Sequence, residues 1–180
     1  MRQRVLILHG WGGSDYPHWQ SFVAQEIAKD YGCVSFLKFS DIDSPNKDVW
    51  LNELKKELEE FRPTVVVCHS IANILWFHLC NESTDIELEK LFLVAPPSLR
   101  CDIKELSTFY PCNIPAKLYA KQSLLITSAN DPYISLNEAL NLQKELNIDI
   151  KVIEDGGHIN VSSGFGEWKW MVEAIKENLC

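Results

Sequence analysis

The stretch Thr64-Val65-Val66-Val67-Cys68-His69-Ser70-Ile71-Ala72-Asn73 decides the fold. A β-branched run of this kind reads as a buried strand. The residues after it, Ile71 to Leu79, read as a helix carrying Ile74, Leu75, Phe77 and His78. A serine at a sharp strand-to-helix junction is the geometry of a nucleophile elbow, which lifts a hydroxyl above a parallel sheet. The usual pattern there is G-x-S-x-G. Here Cys68 and Ala72 stand where the glycines would be. Glycines flank elbow serines because the strand and helix backbones approach closely. A methyl and a CH₂SH group are among the smallest replacements, so the elbow is expected to form if its neighbours are also small. Cys68, as the last strand residue, reads as buried and inert.

Working outward, strand and helix patterns alternate. Arg4 to Leu8 reads as a strand, followed by a glycine-rich loop and a helix from His18 to Tyr31. Val34 to Phe39 is a second strand. Lys47 to Phe61 is an amphipathic helix with Trp50, Leu51, Leu54, Leu58 and Phe61 at helical spacing, ended by Pro63. Lys90 to Ala95 is the next strand. Residues 98 to 121 have no clear period and are expected to form a short lid-like loop. Ser123 to Thr127 and Asp149 to Ile153 read as strands, and Leu136 to Leu146 and Trp168 to Leu179 as helices. This alternation predicts an α/β fold, a mostly parallel sheet with helices on both faces. Sites in such sheets form at the C-terminal strand ends.

Length and composition set the frame. The 180 residues are expected to form one domain, 1–180, with an ordinary globular balance of apolar and charged residues. The formal charge is −8 and no basic run exceeds Lys55-Lys56, which argues against nucleic acid and anionic membranes as partners. The first apolar run, Val5 to Leu8, is too short for a signal-peptide core, and no apolar stretch is long enough to span a membrane. A cytoplasmic protein is expected. The six cysteines, Cys33, Cys68, Cys80, Cys101, Cys112 and Cys180, form no C-x-x-C pair and read as free thiols. No Cys/His spacing suits zinc, so neither metal nor cofactor is expected.

Four strand-end loops hold polar residues suited to a single reaction: His9-Gly10-Trp11-Gly12-Gly13-Ser14, then Ser70, Asp131 and His158. Serine needs a base to take its proton and a third group to orient that base. The chain order Ser, Asp, His is that of the α/β-hydrolase triad. Each residue has a plainer reading: Ser70 as a helix N-cap, Asp131 before Pro132 as a turn, His158 as an exposed loop histidine. Glu154 and Asp155 compete for the acid role, but Asp155 lies too near His158 in the loop to approach the imidazole from behind. Gly156 and Gly157 allow a sharp turn that brings His158 over the sheet. His9, His69 and His78 are weaker bases by position. His69 should point away from Ser70, and His9 reads as structural. The backbone N–H groups of Trp11 and Ile71 are the expected oxyanion hole. Phosphate binding by the first loop is disfavoured, because it lacks the P-loop lysine and carries Asp15 where a third glycine would stand. Gly10, Trp11 and Tyr133 are expected to line a substrate pocket, while Trp19 reads as core.

Taken together, these motifs resemble the small serine hydrolases of the retinoblastoma-binding-protein type, also called YdeN-like. H-G-W-G-G-S-D-Y-P-H-W-Q (9–20) is similar to the family's first loop. A-N-D-P-Y-I-S (129–135) is similar to its acid loop, and G-G-H-I-N-V-S-S-G-F-G-E-W (156–168) to its histidine loop. C-H-S-I-A matches the elbow only at His69 and Ser70. The resemblance implies a three-layer α/β-hydrolase fold with a reduced sheet and no large cap domain. It also implies triad roles for Ser70, Asp131 and His158 in a carboxylesterase-like enzyme. A retinoblastoma-pocket ligand would need L-x-C-x-E, which is not present. The expected partner is a small-molecule acyl substrate, and the expected state a monomer or weak dimer. The alternative is a catalytically weakened hydrolase fold serving as a protein-binding module, motivated by the changed elbow glycines.

Overall fold

The computed structural model describes residues 3–30, 32–82 and 85–177. Its sheet is built from β1 (Arg4–Leu8), β2 (Cys33–Leu37), β3 (Val65–His69), β4 (Leu88–Val94), β5 (Ala120–Ser128) and β6 (Asp149–Ile153). The strand order is β2-β1-β3-β4-β5-β6, and every pairing is parallel. The helices are α1 (Trp19–Lys29), α2 (Lys47–Phe61), α3 (Ile71–Asn81), α4 (Leu136–Leu146) and α5 (Lys169–Lys176). This is an α/β-hydrolase architecture without a large cap domain.

Period-2 alternation along the central strands divides the core in two. Leu6, Leu8, Val66, Cys68, Leu91 and Leu93 pack on the face covered by α2, α3 and α4. Val5, Ile7, Val65, Val67, Phe92 and Val94 pack on the face of α1 and α5. Both faces of β3 are therefore buried, which is why it reads as an uninterrupted apolar run rather than an alternating one. Caps mark the helix starts: Asn46 accepts from Asp48 and Val49 N–H before α2, and Ser135 with Glu138 forms a capping box before α4. Buried Lys90 on β4 sends its ammonium to the terminal carbonyls of α5, including Ile175 O at 2.9 Å. This charge sits where the helix dipole favours a cation.

The departures from expectation have local causes. The second strand ends at Leu37, not Phe39. Phe39 is buried for another reason: it stacks on Trp50 at 4.4 Å between centroids, and its N–H goes to His9 Nε2. Segment 98–121 is not wholly irregular. It holds a 3-10 turn over Lys104–Phe109, and Leu106, Phe109, Cys112 and Leu118 are buried in the core. Its last residues, Ala120 and Lys121, already belong to β5, where Ala120 pairs with Leu88. Helix α5 begins at Lys169, after Trp168. Tyr31, Leu179 and Cys180 lie outside the described residues. The other five cysteines are free.

Candidate active site

The site is assembled at the C-terminal ends of β1, β3, β5 and β6. Ser70 follows β3 directly and adopts φ 56°, ψ −127°. This is not a helical conformation, and it is costly for a residue with a Cβ. The surroundings hold it in place. Ser70 N–H donates to Val94 O (3.0 Å), and the buried Asn73 side chain donates to both Ser70 O (2.7 Å) and Val94 O (2.9 Å). The two side chains in the elbow-glycine positions, Cys68 and Ala72, are fully buried in the α2/α3 core, where the thiol and the methyl are packed rather than displaced. Burial raises the Cys68 thiol well above its ordinary value, with Cys80 adding to the effect, so it stays protonated.

Close approach occurs instead on the other flank. Leu8 pairs with Cys68 across β1 and β3, so two residues further on Gly10 comes against Ser70. A Cβ at Gly10 would lie 2.8 Å from Ser70 Cβ and 3.3 Å from its Oγ. Only glycine fits there. Beyond it, the first loop is anchored by Gly12 N–H to Ile42 O (3.0 Å) and by Trp11 Nε1–H to Asp43 O (3.1 Å). Among the described residues, the backbone N–H groups of Trp11 and Ile71 have no protein acceptor.

The loop after β5 holds the loop after β6. Gly156 N–H donates to Ser128 Oγ (2.9 Å) and Gly157 N–H to Asn130 Oδ1 (2.7 Å). A Cβ at Gly157 would meet Ser163 Oγ at 2.4 Å, and its φ is +50°. The pair therefore turns the chain so that His158 returns over the sheet. His158 Nδ1–H donates to both oxygens of Asp131 (3.0 and 2.9 Å), and its Nε2 accepts from Ser70 Oγ at 2.8 Å. The Asp131 side chain is wholly inaccessible and also accepts from Tyr133 N–H at 2.9 Å. The competing acids Glu154 and Asp155 are exposed. The structure thus brings together the three residues expected from the sequence, in an Asp–His–Ser hydrogen-bonded chain.

Three other histidines surround this chain, and their backbone partners fix their tautomers. His9 is structural: Nε2 accepts from Phe39 N–H, and Nδ1–H donates to Gly10 O. His18 Nδ1 accepts from Gln20 N–H as the N-cap of α1. His69 makes no hydrogen bond to Ser70 among the described residues, but its ring stays at the site. Its Nε2–H donates to His158 O (3.1 Å), and its ring sits between those of His18 and His158, at 5.0 and 5.3 Å. Burial lowers all three below the ordinary imidazole range, His18 to about 4, with the nearby His158 adding to the effect on His18 and His69. They are neutral at neutral pH. His78 lies apart and donates from Nε2 to Phe109 O.

A cavity of about 330 Å³ opens beside Ser70 and His158. Gly10, Trp11 and Tyr133 line it as expected, and the Tyr133 ring meets His158 edge-on at 4.5 Å. Trp19 is core. Sequence reasoning missed the remaining wall: Cys101, Ile103 and Leu106 from segment 98–121, and His18, Asn160 and Val161. His18 and Asn160 stand inside quoted motifs, but nothing in their spacing assigned them. Among the described residues no Asp, Glu, Lys or Arg lines the cavity, no His/Cys/Asp/Glu cluster could hold a metal, and no helix is long and apolar enough to cross a membrane.

Comparison with known proteins gives the family and the fold. The Serine hydrolase family model matches residues 5–177. Among solved structures, the ydeN gene product of B. subtilis superposes with a TM-score of 0.84 at 19% identity, covering 97% of each chain. A putative YdeN-like hydrolase from Pectobacterium atrosepticum gives 0.80 at 20% identity, covering 98% of this chain and 90% of that one. A putative hydrolase of the alpha/beta superfamily from Xanthomonas campestris gives 0.72 at 14% identity, covering 97% and 99%. At such identities the likeness is one of fold. No curated protein sequence matches the chain at a significant level.

Proposed function

The chain belongs to the serine hydrolase family, and from that premise we propose that it cleaves carboxylic esters, or related small acyl substrates, through a Ser70–His158–Asp131 triad and an acyl-enzyme. The observation that carries this reading is the continuous chain from Asp131 through His158 to a Ser70 hydroxyl held at a positive φ beside an open cavity. His158 Nε2 takes the Ser70 proton as Oγ attacks the ester carbonyl. Asp131, buried and bonded to Nδ1–H, holds the ring in the tautomer that leaves Nε2 free and stabilises the imidazolium. The oxyanion meets the unclaimed N–H groups of Trp11 and Ile71, the latter at the positive end of α3. His158 returns the proton to the leaving alcohol. Water, deprotonated by the same ring, then adds to the acyl carbon, and the acid departs as Ser70 regains its proton.

Segment 98–121 supplies one cavity wall and serves as a short lid. On this reading residues 1–180 act as one catalytic domain, cytoplasmic and metal-independent, working as a monomer or weak dimer. Within the family, its loop motifs support the retinoblastoma-binding-protein type, and the missing L-x-C-x-E argues against that type's namesake partner. The alternative, a binding module with a weakened site, rested on Cys68 and Ala72, and their full burial in the core beside a Ser70 hydroxyl already bonded to His158 favours turnover instead. A fluorophosphonate probe tests the proposal. Wild type should be labelled, Ser70→Ala should not, and His158→Ala should lose ester turnover. An unlabelled wild type, or equal labelling of Ser70→Ala, would refute it.

A further inference from the structure

The cavity wall holds two hydrogen-bond donors that the triad does not use. His18 Nδ1 is committed to Gln20 N–H, so the neutral ring carries its proton on Nε2. Asn160 Oδ1 accepts from Ser163 N–H (3.1 Å), which identifies the oxygen and leaves Nδ2 as the amide donor. Neither His18 Nε2 nor Asn160 Nδ2 donates to a protein group among the described residues, and both residues line the cavity. They are 142 positions apart in sequence, but one bond joins their segments: Trp19 Nε1–H to Ile159 O at 2.8 Å. The two donors therefore belong to one wall, on the side of the histidine loop.

That side is chemically distinct. His158 must hand its proton to the leaving oxygen, so the alcohol portion of an ester lies against the histidine loop and the segment tied to it. The acyl portion then faces the opposite wall, where Pro97, Ile103 and Leu106 are apolar. A pair of unpaired donors in a cavity without charged side chains is matched by a neutral oxygen acceptor. A carboxylate or phosphate would find no cation there.

Resting on the serine hydrolase reading above, we propose that His18 and Asn160 form a two-donor subsite for the leaving group, selecting esters of small apolar acids with alcohols that carry a further neutral oxygen, such as an ether or a second hydroxyl. A site built to hydrogen-bond an oxygen rejects the analogue that lacks it.

The test compares two butyrate esters of equal length and shape, 2-ethoxyethyl butyrate and n-pentyl butyrate, followed by acid release. Each rate is divided by that of hydroxide-catalysed hydrolysis to remove intrinsic reactivity. Wild type should favour the ethoxyethyl ester by about tenfold in kcat/KM, the worth of one good hydrogen bond. His18→Asn keeps an oxygen to cap α1 but withdraws the ring N–H. Asn160→Asp keeps the oxygen that Ser163 needs. Each should bring the ratio down severalfold toward one. No preference in wild type would overturn the proposal, as would a preference unchanged in both variants. An equal gain from moving the oxygen into the acyl chain, as methoxyacetate in place of butyrate, would do the same. If wild type neither turns over esters nor takes the fluorophosphonate label, the hydrolase reading falls and this subsite with it. Labelling and turnover without the oxygen preference would remove the subsite alone.

Discussion

Acidification should destabilise this protein through His18, and the size of the effect follows from its burial. The ring's pKa falls from 6.5 in the unfolded chain to about 4 in the folded one, chiefly through desolvation, with the nearby His158 and His9 rings opposing its protonation further. A depressed folded value means that the contribution is fully present above pH 6.5 and is lost as pH falls toward 4, because the unfolded chain binds the proton first. Integrating between pH ~7.5 and ~4.5 gives about 2.5 kcal/mol lost through this one group. Other groups also titrate in that window, so the comparison is with His18→Asn, which retains the cap and removes the ionisation. Urea unfolding of both proteins at the two pH values should show wild type losing about 2.5 kcal/mol more than the variant. Equal losses would refute the reasoning, as would an NMR titration of His18 with a midpoint near 6.5.

Two further outcomes concern the elbow. Gly10→Ala places a methyl 2.8 Å from Ser70 Cβ; kcat/KM should fall by about 10²-fold with the fold retained by circular dichroism, and a wild-type rate would contradict the close approach. Restoring the usual glycines should not help. Cys68→Gly empties a packed core position and should cost about 1–3 kcal/mol in thermal or urea unfolding. Ala72→Gly should cost about 0.5–1 kcal/mol. A tenfold rise in kcat/KM from either would mean that these side chains hinder Ser70 after all.

The strongly patterned elements were legible in the sequence. β1, α2, α4 and β6 have the bounds that the sequence pattern predicts: β1 is buried along nearly its whole length, α2 and α4 each bury one face, and β6 is a half-buried edge strand bounded by polar residues. Phe39 misled because an apolar residue past a strand end looks like one more strand residue. Its burial comes from Trp50 on α2 and from His9, neither of which is adjacent in sequence. The start of β5 was hidden for the opposite reason: Ala120, Lys121 and Gln122 have little β preference and become strand by pairing with Leu88 to Lys90. In the site, Ser70, Asp131 and His158 were legible because each follows a strand and their order is informative. His18, Asn73 and Asn160 were not. Their significance lies in bonds to groups that only folding brings near, and a single Asn or His has no periodicity to betray it.

The Trp19 indole links more than two donors. It bonds Ile159 O and meets the Trp168 ring edge-on at 5.1 Å, so the start of α1, the histidine loop and the approach to α5 share one side chain. Local opening of a native protein proceeds by cooperative units rather than residue by residue. The loop that carries Trp11 leads into α1, and His158, the proposed base, sits one residue before Ile159, so both belong to one such unit. Amide hydrogens of residues 10–22 and 156–168 should therefore exchange with a common opening free energy. On the proposed mechanism, fluctuation then removes the base and the Trp11 donor together, and a population with His158 in place but the Trp11 N–H adrift does not accumulate.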